Sequence, residues 1–343
     1  MKRVFIATMM LTTAVFASAQ TTAEEIMGLL PKMPTEAEMV RFHKESTVPT
    51  YDEKTITQPD LYNDYLEALK TAKAQTDELF SQVGDASVAK TRKSKVAGTD
   101  YTVEEIEDMS EAEQEKMAMA MAQKKLAGLG LNLSDLPKDG EELSDAQRQA
   151  LAAKVMAKAK SGQLPQANPK QAELMMKLSE LNNEEGRLMM TIDDPLKAAA
   201  EEGRKLYARD YQAKVDALEK QQRELVAQGY ALSEKFTEED RPRVEADNKK
   251  FHELTIQQWE QECDFYSKYI PMWRKAVLAS MDICKKTLVP IEKQRQEITQ
   301  QLYDLTQDAN YTMGDTYPIV GAAAYLDQSA KLGDYDDYLK PQE

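Results

Sequence analysis

Apolar residues recur every three or four positions over much of the second half of the chain. Between residues 170 and 192 the steps are four, three, four, three and four. The positions that share this face are Leu174, Leu178, Leu181, Glu185, Leu188 and Ile192, with Glu185 the one polar member. This spacing is that of a coiled-coil seam. It predicts a long amphipathic helix that packs along a second helix.

Two further stretches carry the same spacing. The first covers residues 208–236, through Ala208, Tyr211, Val215, Leu218, Gln222, Leu225, Gly229, Leu232 and Phe236. The second covers residues 256–305, with one extra residue near Val277. Between them, Thr237 to Asp240 resembles a helix cap and Pro242 suits a first helical turn. These patterns predict an elongated antiparallel coiled-coil hairpin, in which one arm precedes and the other follows an apex near residue 240. At 1.5 Å per residue the hairpin would be about 100 Å long.

Prolines leave a second architecture open. Pro271 and Pro290 fall inside the return arm, where each removes a helical hydrogen bond and is expected to bend the helix. If these prolines and Pro195 mark true turns, the same helices form a compact helical bundle. In the first arm, Asp194 is placed to cap a helix that has Pro195 at its first position.

After a leader, residues 1–19, the chain divides into four segments. Residues 20–98 are an N-terminal helical segment whose main helix follows Pro59 and is predicted to end near Gly84. Residues 99–169 are a low-complexity Ala/Met/Glu-rich insertion with weak apolar stripes, predicted to be mobile and helical. Residues 170–306 are the long coiled-coil helices. Residues 307–343 form a tail in which Ile319 to Leu326 predicts a short docking helix and Asp334 to Asp337 a solvated end.

Composition supports an all-α fold and limits the partners. Straight-chain helix formers dominate and aromatic residues are only 7% of the chain. The formal net charge is -15, which repels phosphate backbones and anionic lipid surfaces. Nucleic acid is therefore excluded as an expected partner.

The first nineteen residues have the features of a bacterial signal peptide. Lys2 and Arg3 precede a short apolar run, and Ala17-Ser18-Ala19 is an A-x-A cleavage site. Cleavage would leave Gln20 first and, with two basic residues removed, change the charge from -15 to -17. No later stretch is long and apolar enough to insert in a membrane. The sequence predicts export, to the periplasm first and the extracellular medium second.

Methionine supplies one candidate metal site. Nine of the 18 methionines lie between residues 109 and 190, and Met117, Met119 and Met121 alternate with alanines. In an extended loop the three would line one side and offer thioethers to Cu(I). On a helix, Met119 points away from the other two. The alternative role is adaptable packing or a promiscuous contact face.

Other reactive side chains are few. Cys263 and Cys284 are 21 residues apart, about 31 Å on one helix, whereas bridged Cα atoms lie within about 7 Å, so free thiols are predicted. His43 and His252 are the only histidines and are expected on exposed positions. The carboxylates with the best spacing for a weak Ca²⁺ contact are Asp193, Asp194, Asp334, Asp336 and Asp337; none matches an EF-hand loop.

Aromatic area is concentrated around Pro271. The candidate contact patch comprises Trp259, Tyr266, Tyr269 and Trp273, which alternatively form a core plug between the arms.

Taken together, these patterns predict an exported, non-enzymatic helical protein that acts by protein contact, as an envelope scaffold, adaptor or holdase-like binder. Its expected partners are other proteins, including a second copy of itself, and no cofactor is expected. One alternative is a Cu(I)-binding protein that uses the Met-rich insertion. The other is an enzyme with an unrecognised carboxylate site.

Overall fold

The structure is a computed structural model that describes residues 23–49, 60–129, 168–233 and 236–339. The predicted signal peptide and residues 130–167 of the predicted insertion lie outside the described residues. The described part is helical and contains no β-strand, which confirms the all-α class.

The α-helices are numbered here in chain order. Their bounds are α1 Ala23–Gly28, α2 Glu36–Thr47, α3 Asp60–Arg92, α4 Val103–Glu107, α5 Glu111–Leu129, α6 Pro169–Thr191, α7 Asp194–Asp210, α8 Gln212–Ser233, α9 Arg241–Ile283, α10 Val289–Thr306 and α11 Tyr317–Ala330. A π-helical turn, Cys284–Leu288, joins α9 to α10. Short 3₁₀ segments are Glu238–Asp240, Ala309–Thr316, Lys331–Gly333 and Asp337–Leu339.

The chain divides into two compact units. The first combines residues 1–78, 186–290 and 318–343, and the second combines residues 79–185 and 291–317.

Helices α7 and α8 run antiparallel to α9 in the first unit. Near the base of the pair, the Tyr211 hydroxyl donates to Asp264 Oδ2 at 2.6 Å. Further along α8, Gln222 Nε2 donates to Thr255 Oγ1 at 3.0 Å. Residues further along α8 therefore contact residues earlier in α9, as expected for antiparallel helices. The two helices pair on either side of the short turn at Glu238–Asp240.

Aromatic side chains form the centre of the first unit. Phe265, Tyr269 and Trp273 of α9 are buried, and the rings of Phe265 and Tyr269 stack with centroids 5.6 Å apart. Gly203 of α7 lies against Tyr269, so closely that a Cβ on this glycine would lie 2.6 Å from the ring's Cδ2. Close packing of α7 on α9 therefore depends on the absence of a side chain at Gly203.

The prolines of α9 and α10 do not act as turns. Pro271 lies inside α9, which continues to Ile283. The apolar spacing shifts by one residue near Val277, and a π-helical turn follows about two helical turns later, just before Pro290. A π-turn inserts one residue into a helix, and here the wider turn precedes a residue that has no N–H to donate.

Three predicted boundaries are also corrected. Helix α3 passes through Gly84 and ends at Arg92, because one glycine costs only about 1 kcal/mol inside a helix and the residues on either side outweigh it. Asp193, and not Asp194, occupies the N-cap position of α7. The arm predicted as continuous from residue 208 is interrupted at Tyr211, between α7 and α8.

The second unit is held partly by backbone contacts of the segment after α3. Lys95 N donates to the Gln307 carbonyl at 2.9 Å, and Ala309 N donates to the Lys95 carbonyl at 2.9 Å. Lys90 Nζ lies 4.1 Å from the centroid of the Tyr303 ring. These contacts join the end of α3 to the end of α10.

Candidate contact surface on α8 and α9

The aromatic residues predicted as a contact patch lie mostly inside the first unit. Tyr269 and Trp273 are fully buried, while Trp259 and Tyr266 are half-buried. Trp273 Nε1 donates to the Lys331 carbonyl at 2.9 Å, and its ring packs on Tyr338 with centroids 4.8 Å apart. Because Tyr269 and Trp273 are buried and the C-terminal segment packs on Trp273, the four do not form one exposed surface.

His43 belongs to the same cluster, so the prediction that it is exposed was wrong. It is 4% exposed, its ring centroid is 3.8 Å from that of Tyr266, and its Nδ1 is 3.0 Å from the Tyr335 hydroxyl. Burial lowers the pKa of His43, and the nearby Asp336 carboxylate partly opposes this shift. The Tyr266 hydroxyl donates to Asp336. Within segment 334–337, Tyr335 is buried and Asp334 is half-buried, whereas Asp336 and Asp337 are exposed, so the segment is only partly the solvated end expected.

Met117, Met119 and Met121 lie on a helix. Within α5, Met117 and Met121 are half-buried on one face, while Met119 is 58% exposed. Residues two apart on a helix point in nearly opposite directions. In this conformation the three thioethers cannot reach one ion.

The cysteines form no disulfide. Cys263 is half-buried and Cys284 is fully buried, and both are free, as predicted. Burial raises the pKa of the Cys284 thiol to about 12. A thiol in this state is a poor nucleophile, since the thiolate is the reactive form.

One buried cluster of charges stands in the second unit. Arg295 Nη1 lies 2.5 Å from Glu185 Oε2 and 2.8 Å from Glu292 Oε1, and Arg295 is also stacked on the Tyr317 ring at 4.2 Å. Glu292 is fully buried. Desolvation raises the pKa of Glu292 to about 7, the Arg295 guanidinium opposes that rise, and the Glu185 carboxylate adds to it.

The cluster has the arrangement of a structural ion pair. One guanidinium lies between the two carboxylates and contacts both. Asp193 is similarly occupied, because its Oδ1 accepts from Lys331 Nζ at 2.6 Å and from Gln328 Nε2 at 3.1 Å. Among the described residues no group of three or more His, Cys, Asp or Glu side chains is placed to hold a metal ion.

An open groove lies between α8 and α9 in the first unit. Its volume is about 510 Å³. The residues that line it are Glu219, Gln222, Arg223, Val226, Ala227, Tyr230, Phe251 and Gln258. Val226 and Tyr230 are 44% and 73% exposed, and Phe251 is half-buried.

Helical spacing explains how this surface forms. The buried seam of α8, with Val215 and Leu225, packs on α9. Glu219, Arg223, Val226 and Tyr230 step by four, three and four beside that seam, so they form a second stripe on the next face of the helix. Searches against family models, curated proteins and solved structures find no match to the chain. The groove must therefore be interpreted from its own chemistry.

The groove combines apolar area with balanced polar groups. Its charged members are Glu219 and Arg223, whose side chains lie 3.7 Å apart and cancel. The amides of Gln222 and Gln258 donate to Thr255 and Glu262 respectively. Such a surface suits a segment with apolar side chains, since exposed aromatic and aliphatic groups surrounded by polar ones are typical of interfaces.

Sequence reasoning missed this surface because it followed only the buried seam. The signal was present: a second run of three-and-four spacing beginning at Glu219, with a tyrosine and a valine on it. Polar residues at its first two positions made the stripe resemble an ordinary solvated face.

No helix among the described residues is both long and apolar enough to cross a lipid bilayer.

Proposed function

We propose that this protein is an exported, non-enzymatic helical protein that acts by protein contact, as an envelope scaffold, adaptor or holdase-like binder, and that the groove between α8 and α9 is its contact surface. The observation that carries the proposal is the exposure of Val226 and Tyr230, 44% and 73%, in a groove that the half-buried Phe251 also lines. Both exposed residues lie on one stripe of α8, and the neighbouring stripe of the same helix is the buried seam that packs on α9.

Apolar surface would supply the binding energy. Covering apolar area contributes about 25 cal/mol per Å² removed from water. Tyrosine is enriched among the residues that dominate interface energetics because its ring is large and has few rotatable bonds. A bound segment that covers Tyr230 and reaches Phe251 would gain from both rings at once.

The predicted elongated antiparallel coiled-coil hairpin is part of this proposal, since long arms offer surface for contact. Small-angle X-ray scattering of residues 20–343 tests it. A hairpin at 1.5 Å per residue gives a maximum dimension near or above about 100 Å. A compact particle would instead favour the helical bundle, and with it an enzyme or a protein that binds a ligand in a pocket.

Binding of an unfolded client tests the contact surface itself. The probe is reduced, carboxymethylated α-lactalbumin carrying a fluorophore, and fluorescence anisotropy reports binding to residues 20–343. We expect saturable binding by the parent protein. The double variant Val226→Ser with Tyr230→Ser should bind about tenfold or more weakly, a loss of about 1.4 kcal/mol.

A matched control removes equally exposed apolar side chains elsewhere. Val88 of α3 and Met190 of α6 are 53% and 78% exposed. The variant Val88→Ser with Met190→Ser should bind like the parent. Absence of binding by the parent, or equal losses in both double variants, would contradict the proposed surface.

Export is tested separately by the mass of the protein recovered from cell fractions. The proposal requires a chain that begins at Gln20 and is found in the periplasmic fraction, or in the medium. Retention of Met1 on a cytoplasmic product would refute it.

The Cu(I) alternative has its own test. If the Met-rich insertion binds copper, deletion of residues 109–126 abolishes the binding, and the absence of measurable Cu(I) affinity in the intact protein ends that alternative.

A further inference from the structure

The exposed stripe of α8 is self-complementary. Arg223 and Tyr230 lie at equal numbers of residues from a centre between Val226 and Ala227. When two copies of α8 lie antiparallel with Val226 opposite Ala227, each Arg223 necessarily lies opposite the partner's Tyr230. We propose that the protein self-associates through this stripe, as a twofold-symmetric dimer in which two α8 helices pack antiparallel.

The residues at the centre permit the approach. Ala227 has the smallest side chain of the groove, and small residues let helix backbones come close. Val226, 44% exposed, provides the apolar contact against it. On either side the guanidinium of Arg223 meets the face of a tyrosine ring, an attraction that strengthens when water is excluded. Because of the twofold symmetry, each of these contacts occurs twice in the dimer.

Charge favours a second copy at this place. A chain with net charge -15 repels its own copies over most of its surface. The stripe is an exception, because its Glu219 and Arg223 cancel. Charge repulsion therefore opposes association of two copies least at this stripe, where Arg223 of one copy can meet Tyr230 of the other.

The interface is small. The stripe covers about three turns of one helix, below the area of about 1,200 Å² that separates stable interfaces from weak ones. We expect a reversible dimer with a dissociation constant in the range of about 1–100 µM. This inference rests on the proposed function, since a second copy and a client would then compete for one groove.

Sedimentation velocity over a concentration series provides the test, with a swap of the two paired residues. The single variant Tyr230→Arg places the introduced arginine of one copy opposite Arg223 of the other and should weaken dimerisation at least about tenfold. The double variant Arg223→Tyr with Tyr230→Arg exchanges the partners, restores both arginine–tyrosine contacts in the antiparallel register and should recover the dimer.

A control separates pairing from added charge. Gln221 is exposed on α8, about 180° around the helix from Tyr230. The variant Gln221→Arg adds the same side chain off the stripe and should sediment like the parent. Circular dichroism of all variants checks that the helices are intact.

Three results would overturn the self-association. They are a parent that stays monomeric at about 100 µM, a dimer unaffected by Tyr230→Arg, and a double swap that does not recover the dimer. Client anisotropy keeps the two proposals distinct. A monomeric parent whose client binding is lost in the Val226→Ser and Tyr230→Ser variant refutes the dimer alone. If the single variant loses the dimer, the double variant recovers it and the parent binds no client, the dimer proposal is supported and the client proposal is refuted.

Discussion

Replacement of Glu292 by glutamine should change how stability depends on pH. Glu292 is 0% exposed, and its pKa is raised from 4.5 to about 7, first by burial. The charged groups that face it are Arg295, which opposes the rise, and Glu185, which adds to it. The ring of Tyr317 covers the other side of Arg295.

The direction follows from proton linkage. Below pH 4.5 the carboxyl is protonated in both the folded and the unfolded state, so it has no effect on the pH dependence of stability. Between pH 4.5 and 7 the unfolded chain loses this proton and the folded chain keeps it, so the group progressively favours unfolding as the pH rises. A shift from 4.5 to about 7, at 1.36 kcal/mol per pKa unit, gives about 3 kcal/mol.

The assay is urea unfolding followed by far-UV circular dichroism between about pH 4.5 and 8. Glutamine keeps the size of the side chain and does not titrate. The free energy of unfolding of Glu292→Gln, minus that of the parent, should therefore rise by about 3 kcal/mol across this range. Other titrating groups are common to both proteins and cancel in the difference.

A control variant is available on the same helix. Glu297 is exposed on α10, and Glu297→Gln removes one formal charge without disturbing the buried cluster. A difference for Glu292→Gln that stays flat across the same pH range would refute the reasoning. So would a fall in that difference, which would mean that Arg295 outweighs burial.

Packing and thiol chemistry give further predictions. Gly203→Ala should destabilise the protein by about 1–3 kcal/mol because the new methyl group meets Tyr269. Gly186→Ala should be neutral or stabilising because the added Cβ meets no neighbouring atom within 4 Å. Thermal unfolding compares the two variants. Cys263 should react with a thiol reagent in the native protein faster than the buried Cys284, and both should react after unfolding. Equal native rates, or a disulfide found by mass spectrometry, would contradict the second prediction.

The long helices could be predicted because their spacing depends on local sequence. Leu174, Leu181 and Ile192 lie on the seam inferred from the sequence, and all three are buried. A period of three and four residues is enough to define the apolar face of a helix. The same reasoning placed a break near residue 240, where the short 3₁₀ segment Glu238–Asp240 precedes α9.

The local irregularities could not be located in the same way. An inserted residue shifts the apolar register, but the shift is noticed only where a large side chain falls out of step. Val277 is buried, and so are Cys284 and Leu288 at the two ends of the widened turn, so the pattern of buried positions does not show which turn is widened.

Burial that depends on residues distant in the chain could not be predicted either. His43 is polar and lies in a short helix with little apolar pattern, so local reasoning placed it at the surface. Its burial depends on Tyr266 and Tyr335, which are far away in the chain. The groove was missed for a related reason, since its exposure depends on how α9 packs on α8.

Hydrogen–deuterium exchange with and without the carboxymethylated α-lactalbumin client tests the central claim most directly. We predict slower exchange, on client binding, in peptides that cover residues 219–230 of α8 and 251–258 of α9, and little change in α5 or α10. This protection should disappear in the Val226→Ser and Tyr230→Ser variant. Protection confined to other helices, or none at saturating client, would contradict a contact function located in this groove.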